Sequence, residues 1–116
     1  MTGPELALSR ALRVRGLRFE TQYRDAPGTP DLAFPDRRLA VFVDGDLWHG
    51  HPQRRIPDYW RRKIDRNRDH DAWINYLLER DGWTVLRFWE RDIRRNLDAC
   101  VEAVTRSLGV TSAGAV

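Results

Sequence analysis

The residues best suited to chemistry lie around one short apolar run, Leu39–Val43. The run is followed at once by two carboxylates, Asp44 and Asp46, and then by two histidines, His49 and His51. It is too short to cross a membrane and has the length of a buried strand. Carboxylates bind hard cations such as Mg²⁺, and a neutral histidine can take a proton from water. The pattern therefore predicts a metal-assisted nuclease site at the end of a strand.

A further carboxylate, Asp31, is expected to join this site through a β-hairpin. A hairpin that pairs Phe34 with Leu39 places Asp31 opposite Phe42. Because strand side chains alternate, Asp31 and Asp44 then become diagonal neighbours, roughly 7–8 Å apart at Cα. Two such carboxylates, a main-chain carbonyl and waters would satisfy Mg²⁺. A turn one residue longer would separate them, and simple turn aspartates are the alternative.

The histidines predict a base rather than a second metal centre. His49 and His51 have a spacing that could bind a transition metal, but no third soft ligand lies nearby and Cys100 is remote. A histidine beside a metal-activated phosphate is better read as a general base for water, and a surface histidine is the alternative.

The segment from Asp58 to about Asp81 is predicted to be a long helix that forms one wall of the site. Trp60, Asn67 and Asp71 follow one helical stripe. Several basic residues surround this stripe and could contact phosphates: Arg61, Arg62, Lys63, Arg66 and Arg68. A solvated charged face is the alternative reading. The chain has nineteen arginines and one lysine, which suits phosphate binding but could also reflect a GC-rich genome.

Composition narrows the class of protein. With 116 residues, 32% of them charged, the chain is expected to be one soluble domain. It shows neither a membrane-spanning apolar stretch nor a signal-peptide pattern, so a cytoplasmic, nucleoid-associated location is expected. Its single cysteine, Cys100, rules out an internal disulfide and a cysteine-based zinc site.

The predicted order of elements is α-β-β-β-α-β-α, a three-layer α/β fold with a central mixed β-sheet flanked by helices. The elements outside the site are an alternating strand at Arg18–Arg24, a second strong strand at Trp83–Trp89, and an amphipathic helix from about Asp92 to Leu108. We expect one domain over residues 1–108 and a flexible tail over residues 109–116.

Four segments, PGTPDLAF, VFVDGDLWHGH, YWRRKIDRNRDHD and GWTVLRFWE, resemble in order and spacing the very-short-patch repair (Vsr) endonucleases. The resemblance covers roughly Thr2–Arg91, and its WHGH and KI-x-x-N-x-x-x-D patterns are fairly specific to that family. It implies a restriction-endonuclease-like fold within the PD-(D/E)XK superfamily. It also implies an Mg²⁺-dependent nuclease, for which Mn²⁺ could substitute, that nicks DNA 5′ to the thymine of a T:G mismatch.

The resemblance also implies roles for individual residues. Asp31 would bind the metal, with the Val43 carbonyl as a second ligand. His49 would activate water and Asp71 would orient His49. Glu5 matches an acidic residue near the family's active site, although a capping-box role at the start of the first helix is an equal alternative.

DNA contacts follow from the same resemblance. Leu47, Trp48 and Trp60 occupy the positions of a wedge that intercalates beside the mismatch. Arg61, Lys63 and Asn67 complete the predicted DNA-binding set. The expected partner is mismatched double-stranded DNA, bound by a monomer without membrane contact; other mismatch-repair proteins are further candidates.

Three departures from the family pattern change these expectations. Asp46 and Arg91 stand at two positions where the family has zinc-binding cysteines, so no structural zinc is expected although His51 is retained. Asp44 replaces the family's usual histidine and could add a metal ligand. Leu47 replaces an aromatic wedge residue, so the mismatch preference could differ. Two alternatives stay open: a PD-(D/E)XK nuclease acting on other DNA (in defence or on branched DNA), or a non-catalytic module that binds distorted duplex.

Overall fold

A mixed four-stranded sheet lies at the centre of the structure, a computed structural model that describes residues 3–45 and 58–109, with the backbone alone for residues 58–68. The helices are α1 (Gly3–Val14), α2 (Asp58–Arg80), α3 (Glu90–Arg95) and α4 (Leu97–Ser107). The strands are β1 (Glu20–Thr21), β2 (Leu32–Phe34), β3 (Leu39–Asp44) and β4 (Thr84–Trp89). Across these residues, no helix has the length and apolar character needed to span a membrane.

The strands lie in the order β1-β2-β3-β4, antiparallel up to β3 and parallel between β3 and β4. A single 3₁₀ turn joins β2 to β3, and Arg38 closes it with a left-handed φ of 50°. Phe34 pairs with Leu39, and Leu32 with Val41, which confirms the predicted hairpin register. The long helix α2 connects β3 to the parallel strand β4, as such a crossover requires.

Alternating side chains on β3 bury both faces of the sheet. Leu39 and Val41 face α1, α3 and α4, in a core that includes Leu8, Ile93 and Val104. Ala40 and Phe42 face the other way and pack with Ile74 and Leu78 of α2. A strand that is apolar on both faces must lie between two helical layers. The three-layer α/β fold predicted from the sequence is therefore confirmed.

The loop before β2 is held close to α2. Gly28 has a φ of +79°, and a Cβ placed on it would lie 2.5 Å from the Ile74 Cγ2 atom. Only glycine accepts both this backbone conformation and this approach. The loop thus packs against the helix just before the chain enters β2 at Asp31.

Two predicted elements were wrong in extent. The strand expected at Arg18–Arg24 is reduced to Glu20–Thr21, because Gln22 adopts a positive φ of 47° that interrupts the regular ladder. The single helix expected from Asp92 to Leu108 is two helices divided at Asn96. Asn96 leaves helical geometry, and its side chain accepts a hydrogen bond from the Ala99 N–H at 3.2 Å. An asparagine that caps a new helix ends the one before it.

Candidate active site

Asp31 lies where the chain enters β2, and its carboxylate faces the overhanging end of β3. Its Oδ2 atom accepts a hydrogen bond of 2.7 Å from the Val43 N–H. Its Oδ1 atom accepts a longer bond, 3.4 Å, from the Gln22 side-chain amide. β3 continues past the start of β2, so no β2 strand residue faces Val43. The Asp31 side chain completes the backbone pairing at this corner.

The Val43 carbonyl points to the same corner of the sheet. In a strand, the N–H and the C=O of one residue face the same neighbouring strand. Since the Val43 N–H donates to Asp31, the Val43 carbonyl oxygen is directed to the Asp31 side as well. Carboxylate and carbonyl oxygens are the ligands that Mg²⁺ takes in proteins. The chemistry of this donor pair therefore fits a hard divalent cation.

Glu5 reaches the same corner from helix α1. Its side chain is only 9% exposed. Burial raises the pKa of the Glu5 carboxyl, and so do the negative charge of Asp31, a hydrogen bond to the Asp31 side chain and the charge of Glu90. The structure thus brings Glu5 to Asp31, while Thr2, its expected capping partner, lies outside the described residues.

A second group of polar side chains lies on the α2 face of the sheet. Arg87 on β4 donates from Nη1 to the Asp44 Oδ1 atom at 3.2 Å. The same nitrogen lies 3.8 Å from the Asp71 Oδ1 atom on α2. The Asn75 Oδ1 atom accepts from both Nε and Nη2 of Arg87, at 3.0 and 2.9 Å. Asp44 and Asp71 are therefore brought together by a shared cation.

Arg87 and Asn75 were absent from the residues singled out by sequence. Two signals could have identified them. Arg87 is the one charged residue in an apolar strand, on the face that packs against α2, and Asn75 follows Asp71 by one helical turn. An arginine at such a position needs partners, because a charge is rarely buried without them.

Several predicted site residues cannot be placed relative to this corner. Leu47, Trp48 and His49 lie outside the described residues, as do Asp46 and His51. The other four belong to the first half of α2, where the backbone alone is described: Trp60, Arg61, Lys63 and Asn67. Their helical position agrees with the prediction, and Asp71 follows Asn67 by one turn of the same helix.

Among the side chains described in residues 3–45 and 69–109, no three of His, Cys, Asp or Glu gather into a metal-binding group. A cation at the Asp31 corner would meet main-chain oxygen as well as carboxylate, because Asp31 lies against the Val43 main chain. Such mixed oxygen coordination is common for Mg²⁺, which keeps several of its waters.

A mixed sheet between helical layers, with a carboxylate at the overhanging end of a central strand, defines the class of the restriction-endonuclease-like nucleases. The family model described as DNA mismatch endonuclease Vsr matches residues 1–55 of the chain.

Comparisons with individual relatives extend this similarity over most of the chain. The chain is 39% identical over 114 residues to the type II nicking enzyme V.NmeDIP of Neisseria meningitidis serogroup C, covering 92% of this chain and 77% of the relative. It is 41% identical over 99 residues to V.XorIIP of Xanthomonas oryzae pv. oryzae, covering 79% and 72%. It is 32% identical over 114 residues to the DNA mismatch endonuclease Vsr of Escherichia coli K12, covering 92% and 72%. The chain belongs to the Vsr family and is a DNA endonuclease.

Proposed function

We propose that this endonuclease nicks one strand of duplex DNA at or beside a T:G or related mismatch, in an Mg²⁺-dependent reaction of mismatch repair. The observation that carries the proposal is the Asp31 corner, where a carboxylate and the Val43 main chain meet beyond the end of β2. The relatives support the substrate, since they are described as a mismatch endonuclease and as nicking enzymes.

Asp31 and the Val43 carbonyl would hold Mg²⁺, and Mn²⁺ would substitute. When bound, the ion supplies positive charge for the scissile phosphate and makes a nearby water more acidic. Asp44, which follows Val43 at the end of β3 and whose Oδ1 atom accepts a hydrogen bond from Arg87, is a proposed additional ligand. Glu5 adds acidic charge beside Asp31.

His49 is proposed as the general base that takes a proton from the attacking water. Asp71 would accept a hydrogen bond from the other imidazole nitrogen and so fix the tautomer and the direction of the ring. The partial exposure of Asp71, with 43% of its side chain accessible, leaves that carboxylate open to such a partner.

The DNA would be held by Leu47, Trp48 and Trp60 as the intercalating wedge, with Asn67 beside them and Arg61 and Lys63 on phosphates. Unstacking a base step costs a few kcal/mol, and it costs least at a mismatch. Such a wedge therefore favours mismatched sites. Leu47 stacks less strongly than an aromatic ring, so a mismatch other than T:G is a real outcome of the test.

The test is a nicking assay on a panel of duplexes: fully matched, each mismatch, flap and single strand, with and without Mg²⁺. We expect a nick in one strand of one mismatched duplex that disappears in EDTA. Asp31→Ala and His49→Ala should each lower the rate at least about a thousandfold, as removal of a central catalytic group does. Asp36→Ala in the exposed hairpin turn and His70→Ala on the exposed face of α2 are the matched controls.

Each other outcome selects a different function. Cleavage of flaps, single strands or matched duplex instead would indicate a nuclease of other specificity. Mismatch binding without cleavage in Mg²⁺ or Mn²⁺ would indicate a binding module. Full activity of Asp31→Ala would overturn the proposed site.

We also propose that the chain carries no structural zinc, because Asp46 and Arg91 cannot replace the family's cysteines as soft ligands. Metal analysis of the purified protein should then find zinc well below one per chain. We further propose a monomer that meets its DNA, and any mismatch-repair partners, at the nucleoid.

A further inference from the structure

Arg87 is held by contacts with Asn75, Phe42 and two carboxylates. It projects from β4 toward α2, with 20% of its side chain exposed. The edge of the guanidinium that carries Nε and Nη2 is fixed by two hydrogen bonds to the Asn75 Oδ1 atom, at 3.0 and 2.9 Å. Its flat face lies over the Phe42 ring, 4.3 Å from the centroid. These contacts determine the plane and direction of the group before any ligand arrives.

The remaining terminal nitrogen joins two elements of the fold. Nη1 donates to the Asp44 Oδ1 atom at the end of β3 and lies 3.8 Å from the Asp71 Oδ1 atom on α2. Without a cation between them, two carboxylates facing the same point would repel each other. Arg87 therefore determines where both carboxylates lie relative to the sheet.

We propose that Arg87 is a positioning residue of the nicking site, which acts through Asp71. By pairing with the Asp71 Oδ1 atom, Arg87 fixes the direction of the Asp71 carboxylate, which is the group that orients the general base in the proposed function. This inference rests on the proposed function, in which His49 takes the proton from water. It assigns to Asn75 the task of holding Arg87 in place.

Lysine could not replace this arrangement. An ammonium group is a point charge on a flexible stem, whereas the guanidinium presents donors on two edges of one plane. The edge with Nε and Nη2 contacts Asn75, and Nη1 on the other edge contacts the Asp44 and Asp71 carboxylates. A lysine would keep the charge but lose the fixed relation between the helix and the strand.

The experiment compares Arg87→Met and Arg87→Lys with Arg80→Met, a matched change of an exposed arginine at the end of α2. Thermal melts establish that each variant is folded, and steady-state nicking of the preferred mismatched duplex is measured in Mg²⁺. We expect Arg87→Met to lower kcat roughly thirtyfold while KM changes less than about threefold, since misplacement of a catalytic group acts mainly on the chemical step. Arg87→Lys should recover part of this loss, and Arg80→Met should match the wild type.

A double-mutant cycle with Asp71→Asn separates positioning from general structural damage. If Arg87 acts through Asp71, adding Arg87→Met to Asp71→Asn should lower kcat less than about twofold further. Damage unrelated to Asp71 would lower kcat in both backgrounds by the same factor. Asn75→Ala, which removes the acceptor of the other edge, should give a smaller loss of kcat that also vanishes in the Asp71→Asn background.

Each result decides a different point. Suppose the wild type nicks DNA. This inference would then be overturned, and the proposed function would stand, if Arg87→Met kept the wild-type kcat. The same would follow if the kcat losses of Arg87→Met and Asp71→Asn multiplied in the double mutant. A rise in KM with unchanged kcat would assign Arg87 to DNA binding and also overturn it. A wild type that nicks no duplex would overturn the proposed function and the inference with it. Should Arg87→Met not fold, Arg87→Lys and Asn75→Ala carry the same cycle.

Discussion

Two pairs of acidic side chains at one end of the sheet are held together in opposite ways. On the α1 side, Glu5 and Asp31 share a hydrogen bond, and burial together with the Asp31 charge raises the pKa of Glu5. On the α2 side, Asp44 and Asp71 both face the guanidinium of Arg87. In the first pair the pKa of one carboxyl is raised, and in the second both carboxylates face a positively charged side chain.

The difference separates the part of the site that changes charge from the part that stays constant. A divalent cation beside Asp31 would oppose the effects that raise the pKa of Glu5, because a nearby positive charge favours an ionised carboxyl. Arg87 is part of strand β4 and is held by Asn75, so its positive charge stays beside Asp44 and Asp71. We therefore expect the Glu5–Asp31 pair to respond to metal and the Asp44–Asp71 pair to serve as its fixed support.

Among the changes that test this comparison of the two pairs, the largest effect is expected when Glu5 can no longer ionise. Glu5→Gln keeps the shape of the protonated carboxyl but cannot supply negative charge beside Asp31. We expect the rate of Mg²⁺-dependent nicking to fall roughly tenfold to a hundredfold, as for loss of one interaction with a metal-bound transition state. Glu20→Gln, on the exposed strand β1, is the control. Unchanged activity would return Glu5 to a helix-capping role and remove the contrast between the two pairs.

The same variant should be more stable than the wild type, and only above a certain pH. The folded-state pKa of Glu5 is raised, so the folded chain holds this proton more tightly than the unfolded chain does. Ionising Glu5 in the folded chain therefore lowers the free energy of unfolding. This loss is absent below the unfolded-state pKa of about 4.3 and grows as the pH rises toward the folded-state pKa. In EDTA, urea unfolding should show Glu5→Gln near wild type at pH 4 and more stable by about 1 kcal/mol at pH 8. An equal gain in the free energy of unfolding at both pH values would contradict a raised pKa of Glu5 as the cause.

The sequence predicts the Glu5–Asp31 side better than the Arg87 side, for a physical reason. Asp31 and Val43 meet through a short hairpin, whose register follows from alternating side chains and is confirmed by the pairing of Phe34 with Leu39. Arg87 meets Asp44 and Asp71 through a parallel strand pair and a long crossover helix. Contacts made across such a crossover depend on how the helix rests on the sheet, which no local pattern encodes.

The ends of two elements were also not predicted from the sequence, because the backbone becomes irregular at a single residue. Gln22 and Asn96 each end an element that the residue pattern would have continued. In both cases a single residue leaves the regular conformation and uses its side chain as a new hydrogen-bond partner. Propensity averages over many residues and does not register one such change.

A smaller effect is expected at Asp44, where two substitutions test which role dominates. Asp44→Asn keeps an acceptor for Arg87 but removes the charge that a cation would use, whereas Asp44→Ala removes both. Because Arg87 already compensates the Asp44 charge, we expect Asp44→Asn to raise the Mg²⁺ concentration for half-maximal rate less than about threefold. Asp44→Ala should also lower the free energy of unfolding by about 1 kcal/mol through the lost hydrogen bond to Arg87. A tenfold or greater Mg²⁺ requirement in Asp44→Asn would make Asp44 a ligand equal to Asp31.

The smallest effect is expected at Gln22, which contacts the same carboxylate as the Val43 backbone. The bond from its side-chain amide to the Asp31 Oδ1 atom is long, 3.4 Å, and exposed to solvent, whereas the bond from the Val43 N–H to Oδ2 is 2.7 Å and partly buried. Water replaces an exposed donor at little cost. Gln22→Ala should therefore nick at a rate within about twofold of wild type, because the orientation of Asp31 depends on the sheet edge. A fall in the nicking rate of more than tenfold would show that the loop before β2, rather than the end of β3, orients the Asp31 carboxylate. The loop would then belong with Glu5 and Asp31 to the part of the site that responds to metal.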